Sequence, residues 1–450
     1  MGWILKVSGY GKIESAEIQV APLTLFVGDN NSGKSYLLSL LWGIRNLGME
    51  ILFTGGSEPA SEAEDRLLCW VREQVKAAGE QGRCTARVSE IGRELQAALQ
   101  ERINRNKDRF VKAIFNSQDV ELDELQITLT GLENISLDIQ WKKLFRRIYL
   151  SLSQTDGKVI RLDLSEEERK TGILEDDKYQ FIISNVMDLV LAHDSAGFDS
   201  EIYFPAARTG FMLTKDVVNK AGRRVAFNAA MEQETLVPFV RPVNHFLDVI
   251  NDLTSHNEVN HKFAEVIRYL EKGMADGIVE MSSLPNKEVR YTPNGKTSGM
   301  PLRTVSAVVT ELTPLILILK HQKYVDALFY EEPEMCLHPQ LQQKMARVLC
   351  QLTNAGVQMN VTTHSDIILQ HINNMIRLSE REDREEICRH LGYSDRDLLR
   401  PEEVRVYQLT AEAGAKTKVE ELICGKNGFA VPTFNDALDR IMDEAYAIQE

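Results

Sequence analysis

Apolar and polar residues alternate in the first part of the chain with the period of β-strands. The segments Trp3–Gly11, Ile13–Ala21 and Leu23–Val27 have strand length and are rich in β-branched or aromatic residues. After Lys34 the apolar positions recur with helical spacing. The pattern therefore predicts three strands, a glycine-rich turn after the third, and then a helix.

The predicted secondary structure changes from helix to strand and back along the middle of the chain. Residues 56–118 are rich in Glu, Arg, Gln and Ala at helical spacing, which predicts a pair of helices. Residues 125–164 carry several β-rich runs, and the short apolar run at 201–210 is predicted to be a buried strand. We expect residues 211–275 to be mostly helical and residues 278–305 to carry short strands around a turn.

From residue 306 onward, helix and strand patterns alternate. The predicted order is helix 306–322, strand 326–333, helix 339–356, strand 357–365 and helix 366–376. Strands from residue 402 and a final helix from about Asn435 close the chain. Such alternation is typical of a parallel sheet with covering helices.

Composition and charge narrow the class of protein. With 43% hydrophobic and 26% charged residues, the 450-residue chain has the composition of a soluble globular protein. The longest apolar runs, such as Leu312–Leu319, are too short to span a bilayer, and the polar amino terminus predicts no export signal. We therefore expect a cytoplasmic protein without a membrane partner.

The net charge of -14 argues against a protein that coats DNA through its overall field. The basic runs Arg102–Lys112 and Trp141–Arg147 are interpreted as solvated faces. Six cysteines lie far apart without a C-x-x-C pair, which favours reduced thiols. We assign them no chemistry.

The glycine-rich turn fits the pattern G-x-x-x-x-G-K-[ST] of a phosphate loop. Glycines let successive backbone N–H groups face one centre, and the following helix directs its positive end to the same point. Lys34 is expected to reach the β and γ phosphates, and Ser35 to bind Mg²⁺. The expected phosphate contacts are Gly28, Asn30, Asn31, Ser32, Gly33, Lys34 and Ser35.

Acidic residues follow the apolar strand Ala327–Tyr330. A buried parallel strand presents residues at its carboxyl end, where open α/β sheets bind ligands. Glu331 is expected to hold the Mg²⁺ shell through water, and Glu332 to polarise the attacking water as a general base.

The next strand ends in Thr363-His364-Ser365, one helix and one strand after Glu332. An imidazole at that height can hydrogen-bond the γ-phosphate and report its presence. His364 is therefore the third candidate for the site.

These motifs carry a family resemblance. The runs NNSGKS, EEPEMCLHPQ and TTHSD together resemble the ABC-type ATPases of the RecF, SMC and OLD group. The runs YFPAARTGF and GFAVPTFNDALDRI resemble, more narrowly, AAA-type ATPases with an ABC-like core from bacterial anti-phage defence operons. The resemblance covers approximately residues 1–50 and 200–450.

The resemblance implies an α/β fold, an ABC-ATPase-like P-loop head with a mixed or parallel sheet and covering helices. Residues 1–55 and 201–450 would form this head, with a helical subregion at 211–275. The resemblance does not cover residues 56–200, and their own pattern predicts an inserted helical and β-rich lobe.

The resemblance also implies a dimer closed around nucleotide, with a signature loop capping the γ-phosphate of the other subunit. Ser306 fits that loop, but Ala307 and Val308 stand where glycine-containing residues are expected. Lys296–Met300 is an alternative cap. Arg208 occupies a loop where many relatives have Gln, and it either contacts phosphate or Mg²⁺-bound water or pairs with an acidic neighbour.

The function implied is a slow cytoplasmic ATPase that forms a homodimer or higher oligomer around ATP and Mg²⁺. It would act as sensor or scaffold for a separate effector protein, a nuclease, in anti-phage defence. One alternative is a RecF-like repair ATPase with nucleic acid as its partner. Another is a transporter subunit, which would need a glycine-bearing signature and a groove for a membrane partner.

Overall fold

The computed structural model describes residues 2–53, 61–140, 147–153, 159–163, 166–171, 173–192, 200–215, 218, 239–254, 261–282, 288–411, 415–431 and 442–448. The strands are β1 Gly2–Tyr10, β2 Ile13–Gln19, β3 Leu23–Gly28, β4 Arg83–Arg87, β5 Glu124–Thr130, β6 Ser136–Gln140, β7 Arg147–Ser153, β8 Val159–Asp163, β9 Glu201–Phe204, β10 Gly277–Met281, β11 Val289–Pro293, β12 Met300–Pro301, β13 Ala327–Glu331, β14 Gln358–Thr363, β15 Val404–Thr410 and β16 Thr417–Leu422. The α-helices are α1 Lys34–Leu47, α2 Glu62–Gln81, α3 Gly92–Phe115, α4 Glu166–Thr171, α5 Asp176–Ala192, α6 Arg241–Asp252, α7 Ala264–Arg268, α8 Ala307–His321, α9 Pro339–Asn354, α10 Asp366–Ser379 and α11 Arg384–Leu391. Residues 208–215 and 442–448 are also helical.

A nine-stranded mixed sheet organises the fold, with strand order β5-β1-β2-β16-β15-β3-β14-β13-β9. The run from β15 to β9 is parallel throughout. On the other side, β1 pairs antiparallel with both β2 and β5. Because β3, β13 and β14 are parallel neighbours, their carboxyl ends at Gly28, Glu331 and Thr363 lie at one edge of the sheet.

Alternate side chains of the central strands enter two separate apolar cores. In β3, Phe26 packs in the core that contains α1, α2 and α3, whereas Leu25 and Val27 pack in the core that contains α8, α9 and α10. In β13, Phe329 packs in the first of these cores and Leu328 packs in the second. Since side chains alternate between the faces of a strand, helices cover both faces of the parallel region. The strand β3 is buried along its whole length.

Two smaller antiparallel sheets complete the fold, with orders β4-β6-β7-β8 and β10-β11-β12. The strand β5 lies within residues 56–200, yet it pairs with β1 in the large sheet. The proposed division at 55 and 200 stays a prediction.

The predicted α/β fold class is confirmed, as is the alternation of helices and strands after residue 306. The helix pair at 56–118 is present as α2 and α3, with the unforeseen strand β4 between them. Residues 432–441, where the final helix was expected to begin, lie outside the described residues. Within the described part of the chain, no helix is long and apolar enough to cross a membrane.

Candidate functional site

The turn between β3 and α1 has the backbone of a phosphate cradle. Gly28, Asn31 and Gly33 have φ angles of 137°, 61° and 101°. A Cβ atom on Gly28 would lie 2.2 Å from the carbonyl oxygen of Leu409 on β15, so only glycine fits there. Gly33 precedes α1 and has no side chain to cap it. The first N–H groups of α1 therefore remain available to an anion.

The Lys34 side chain lies folded into this cradle. Its ammonium donates to the carbonyl oxygens of Gly28 at 3.0 Å and Asp29 at 2.6 Å, and to the Ser32 hydroxyl at 3.3 Å. Burial lowers the pKa of Lys34 to about 8, although the neighbouring acidic groups, Glu332 first among them, oppose the shift. Phosphate oxygens would compete for these same N–H donors.

At the end of β13, the two neighbouring carboxylates have different surroundings. Glu331 is 7% exposed, and its oxygens accept from the Tyr203 hydroxyl and the Ala206 N–H, both at 2.7 Å. Glu332 is half-buried, with Oε1 3.5 Å from Nε2 of His364. The hydrogen bond to His364 is the largest cause that holds the pKa of Glu332 below its usual value, against the effect of burial. Glu332 is therefore an ionised carboxylate at neutral pH.

A third carboxylate joins the acidic turn to the histidine turn. The backbone N–H of His364 donates to Oε1 of Glu334 at 2.6 Å, while burial raises the pKa of Glu334. Directly after His364, the Ser365 hydroxyl accepts from the N–H of Ile368 at 3.1 Å and caps α10. These bonds fix the position of the His364 backbone directly after the end of β14.

The loop, Glu332 and His364 surround one cavity of about 220 Å³, lined by Lys12, Asn30, Asn31, Ser32, Gly33, Lys34, Ser35, Tyr36, Glu332 and His364. Sequence reasoning named all of these except Lys12 and Tyr36. Lys12 comes from the turn between β1 and β2, and the Tyr36 ring stacks on Phe115 with centroids 4.9 Å apart. Lys12 is outside every motif, because its place at the cavity depends on how the β1–β2 turn packs against the loop. Tyr36 directly follows Ser35, and this position next to the phosphate-loop motif is the signal that could have found it.

Four expected site residues lie outside the cavity lining. Gly28 is the first residue of the loop. The carboxylate oxygens of Glu331 accept hydrogen bonds from Tyr203 and Ala206. Arg208 forms a buried ion pair with Glu311, which is the second of the two arrangements that the sequence left open. Ser306 is exposed and immediately precedes α8. The roles expected for these residues stay predictions.

The donor set suits Mg²⁺. Ser35 and Glu332 both line the cavity, where they bring a hydroxyl and an ionised carboxylate. Hard oxygen donors together with phosphate oxygens are the ligands that Mg²⁺ prefers. The residues present therefore fit a magnesium–triphosphate ligand.

Comparisons with known proteins place the chain in a family. Residues 88–369 match the model of the AAA ATPase domain family, and the chain belongs to it. The matched segment contains Glu332 and His364 and begins after the phosphate loop.

Solved structures similar to the chain include an Smc head bound to the C-terminal winged-helix domain of ScpA, with 13% identity, a TM-score of 0.38, and coverage of 94% of this chain and 98% of that one. The Smc head with an extended coiled coil bound to a ScpA domain from Pyrococcus furiosus has 13% identity, a TM-score of 0.37 and full coverage of both chains. The SMC head domain from Thermotoga maritima has 11% identity, a TM-score of 0.33, and coverage of 93% and 97%. Similarity this low transfers neither activity nor partner. A search of curated proteins returned no match.

Proposed function

We propose that this chain is an ATPase that binds ATP with Mg²⁺ in the cavity and hydrolyses it to ADP and phosphate. One observation carries the proposal. Lys34, Glu332 and His364 come from three separate parts of the sequence and line the same cavity beside a glycine-rich phosphate loop. Membership of the AAA ATPase domain family agrees with this proposal.

Different residues of the chain bind the phosphates, hold the metal ion and activate the attacking water. The loop N–H groups and Lys34 bind the phosphates. Ser35 would hold Mg²⁺ and Glu331 would act on its shell through water, and the ion would supply positive charge to offset that of the β and γ phosphates. Glu332 orients the attacking water and accepts its proton, because its low pKa keeps it ionised. His364 hydrogen-bonds the γ-phosphate and, through its contact with Glu332, holds the general base in place.

We further propose a nucleotide-dependent homodimer or higher oligomer that serves as sensor or scaffold for a separate nuclease in anti-phage defence. The motif resemblance around Arg208 and in residues 428–441 supports the defence role. The exposed Ser306 at the start of α8 supports the oligomer, since a helix N-terminus can meet the phosphate of a second subunit.

Nucleotide titration and phosphate release test the ATPase proposal. Lys34→Ala should lose ATP binding, while Glu332→Gln should bind ATP normally and hydrolyse it about 10² to 10⁴ times more slowly. Lys6→Ala is the matched control, because Lys6 is an exposed cation on β1 that pairs with Glu17 away from the cavity. Normal hydrolysis by Glu332→Gln would contradict the assignment of the general base.

Light scattering of Glu332→Gln with and without ATP tests the oligomer. An increase in mass with ATP is expected, and an unchanged mass contradicts nucleotide-dependent assembly. A nuclease or toxin in the neighbouring open reading frame would support the defence role, and a recombinase there would contradict it. Duplex DNA binding with a steep salt slope would favour the repair alternative.

A further inference from the structure

Arg208 is a fully buried cation that contacts three separate parts of the fold. Its relative exposure is 0%. One guanidinium nitrogen, Nη1, donates to the carbonyl oxygens of Pro205, at 2.8 Å, and of Glu331. The other, Nη2, donates to the Glu332 carbonyl at 2.9 Å and forms an ion pair with Glu311. One side chain therefore joins the loop after β9, the carboxyl end of β13 and α8.

Glu311 fixes the α8 end of this connection. It lies near the start of α8 and is 1% exposed. Besides its ion pair with Arg208, its Oε2 accepts from the N–H of Thr209 at 3.1 Å and from the Thr209 hydroxyl at 2.8 Å. Because the carboxylate is buried and bonded on both sides, a displacement of α8 has to displace Arg208 as well.

Glu332 has a backbone conformation that needs such support. Its φ angle of 42° lies in the left-handed region, which residues other than glycine adopt rarely. The N–H of Glu332 donates to the Thr362 carbonyl at 2.9 Å, and its own carbonyl accepts from Arg208 at 2.9 Å and from the N–H of Met335 at 3.1 Å. Both sides of the residue are therefore fixed, and this conformation places the carboxylate 3.5 Å from His364.

We propose that Arg208 and Glu311 are positioning residues that connect the first turns of α8 to the general base Glu332. The proposal rests on the proposed ATPase function. Neither residue lines the cavity, so the pair acts on the rate of hydrolysis and leaves nucleotide binding unchanged.

The substitution Arg208→Lys tests the connection. An ammonium lacks the planar fork that reaches several carbonyl oxygens and a carboxylate at once. We expect kcat to fall about 100-fold, since a misplacement of about 1 Å costs that much, while the Kd of ATP stays unchanged.

Arg45→Lys is the matched control. Arg45 forms a buried ion pair with Glu201 at the start of β9, and its side chain is 5% exposed, so it resembles Arg208 in burial and charge but not in position. A merely structural effect would lower activity through the folded fraction in both variants. Single-turnover rates normalised to bound ATP remove that fraction, and only Arg208→Lys should then be slow.

A second variant controls for the possibility that Arg208→Lys does not fold. The double substitution Arg208→Met/Glu311→Leu removes both charges together and leaves no buried charge unpaired. We expect it to show the same loss of kcat. Hydrolysis within about threefold of the wild type in either folded variant would overturn the proposal. Weaker ATP binding with unchanged kcat would also overturn it and would indicate a phosphate contact.

Failure of the ATPase function itself gives a different result. A wild-type chain that binds ATP without hydrolysing it would contradict the proposed function. The crystal structure of Arg208→Lys would then decide the positioning claim by itself. Relaxation of Glu332 to a negative φ, with its carboxylate away from His364, supports the claim, and an unchanged turn overturns it.

Discussion

The substitution Gly28→Ala gives a sharp test of the phosphate loop. Gly28 ends β3, faces Leu409 of β15 in the sheet register, and has a φ angle of 137°. A Cβ atom there would lie 2.2 Å from the Leu409 carbonyl oxygen and 3.1 Å from its carbonyl carbon. Because both contacts are with backbone, either the loop or β15 has to move by roughly 1 Å.

The expected size of the effect follows from the hydrogen bonds of the loop. Displacement of the loop misplaces the N–H groups that face a bound phosphate, and it moves the Gly28 carbonyl that accepts from Lys34 at 3.0 Å. One hydrogen bond to a charged group contributes about 1.5–3 kcal/mol. The loss of one such bond raises the Kd of ATP about 10- to 150-fold.

Isothermal titration of ATP into the variant measures this change, with Gly356→Ala as the control. Gly356 also has a positive φ, 81°, but a Cβ atom there would meet nothing within 4 Å. That variant should lose about 1–2 kcal/mol of stability through backbone strain alone and bind ATP normally. Folded Gly28→Ala protein with an unchanged Kd would refute the assignment of the loop.

Three further outcomes are expected. Lys34→Ala should abolish ATP binding in the same titration. Among the described residues that line the cavity, the only other lysine is Lys12, which lies at the wall of the cavity and outside the loop. Glu332→Gln should retain bound ATP through many wild-type turnover times, as measured by rapid filtration. Asp397→Asn should lower the free energy of unfolding by about 3 kcal/mol at pH 7, since it leaves Arg347 without its buried partner. Burial alone raises the pKa of Asp397, but hydrogen bonds, led by that from Arg347, outweigh it and hold the pKa below its usual value. The wild type should therefore lose this stabilisation as pH falls below about 4, and urea unfolding between pH 7 and pH 3 should show a flatter acid limb in the variant.

The centre of the site could be predicted from sequence because its motifs are local and its strands are parallel. The phosphate loop, Glu332 and His364 each follow a recognisable strand. Parallel neighbours place their carboxyl ends at one edge, so three distant motifs converge without knowledge of the loops between them.

The remaining features depend on pairings that local patterns do not encode. The strand β5 has an ordinary alternating pattern, and nothing in it indicates that it pairs with β1. The partner of Arg208 was also undetermined, although one signal was present. Glu311 is a single carboxylate in an almost wholly apolar helix, and a buried charge in such a place needs a cationic partner.

The position of β3 in the sheet has a consequence for biosynthesis. Both neighbours of β3, the strands β14 and β15, begin more than 300 residues after it in the chain, at Gln358 and Val404. At about 5–20 residues per second, the ribosome needs on the order of half a minute to deliver them after β3 has emerged. During that interval β3 has neither of its sheet neighbours, so we expect chaperones to hold the nascent polypeptide and ATP to bind only after β14 and β15 have been synthesised.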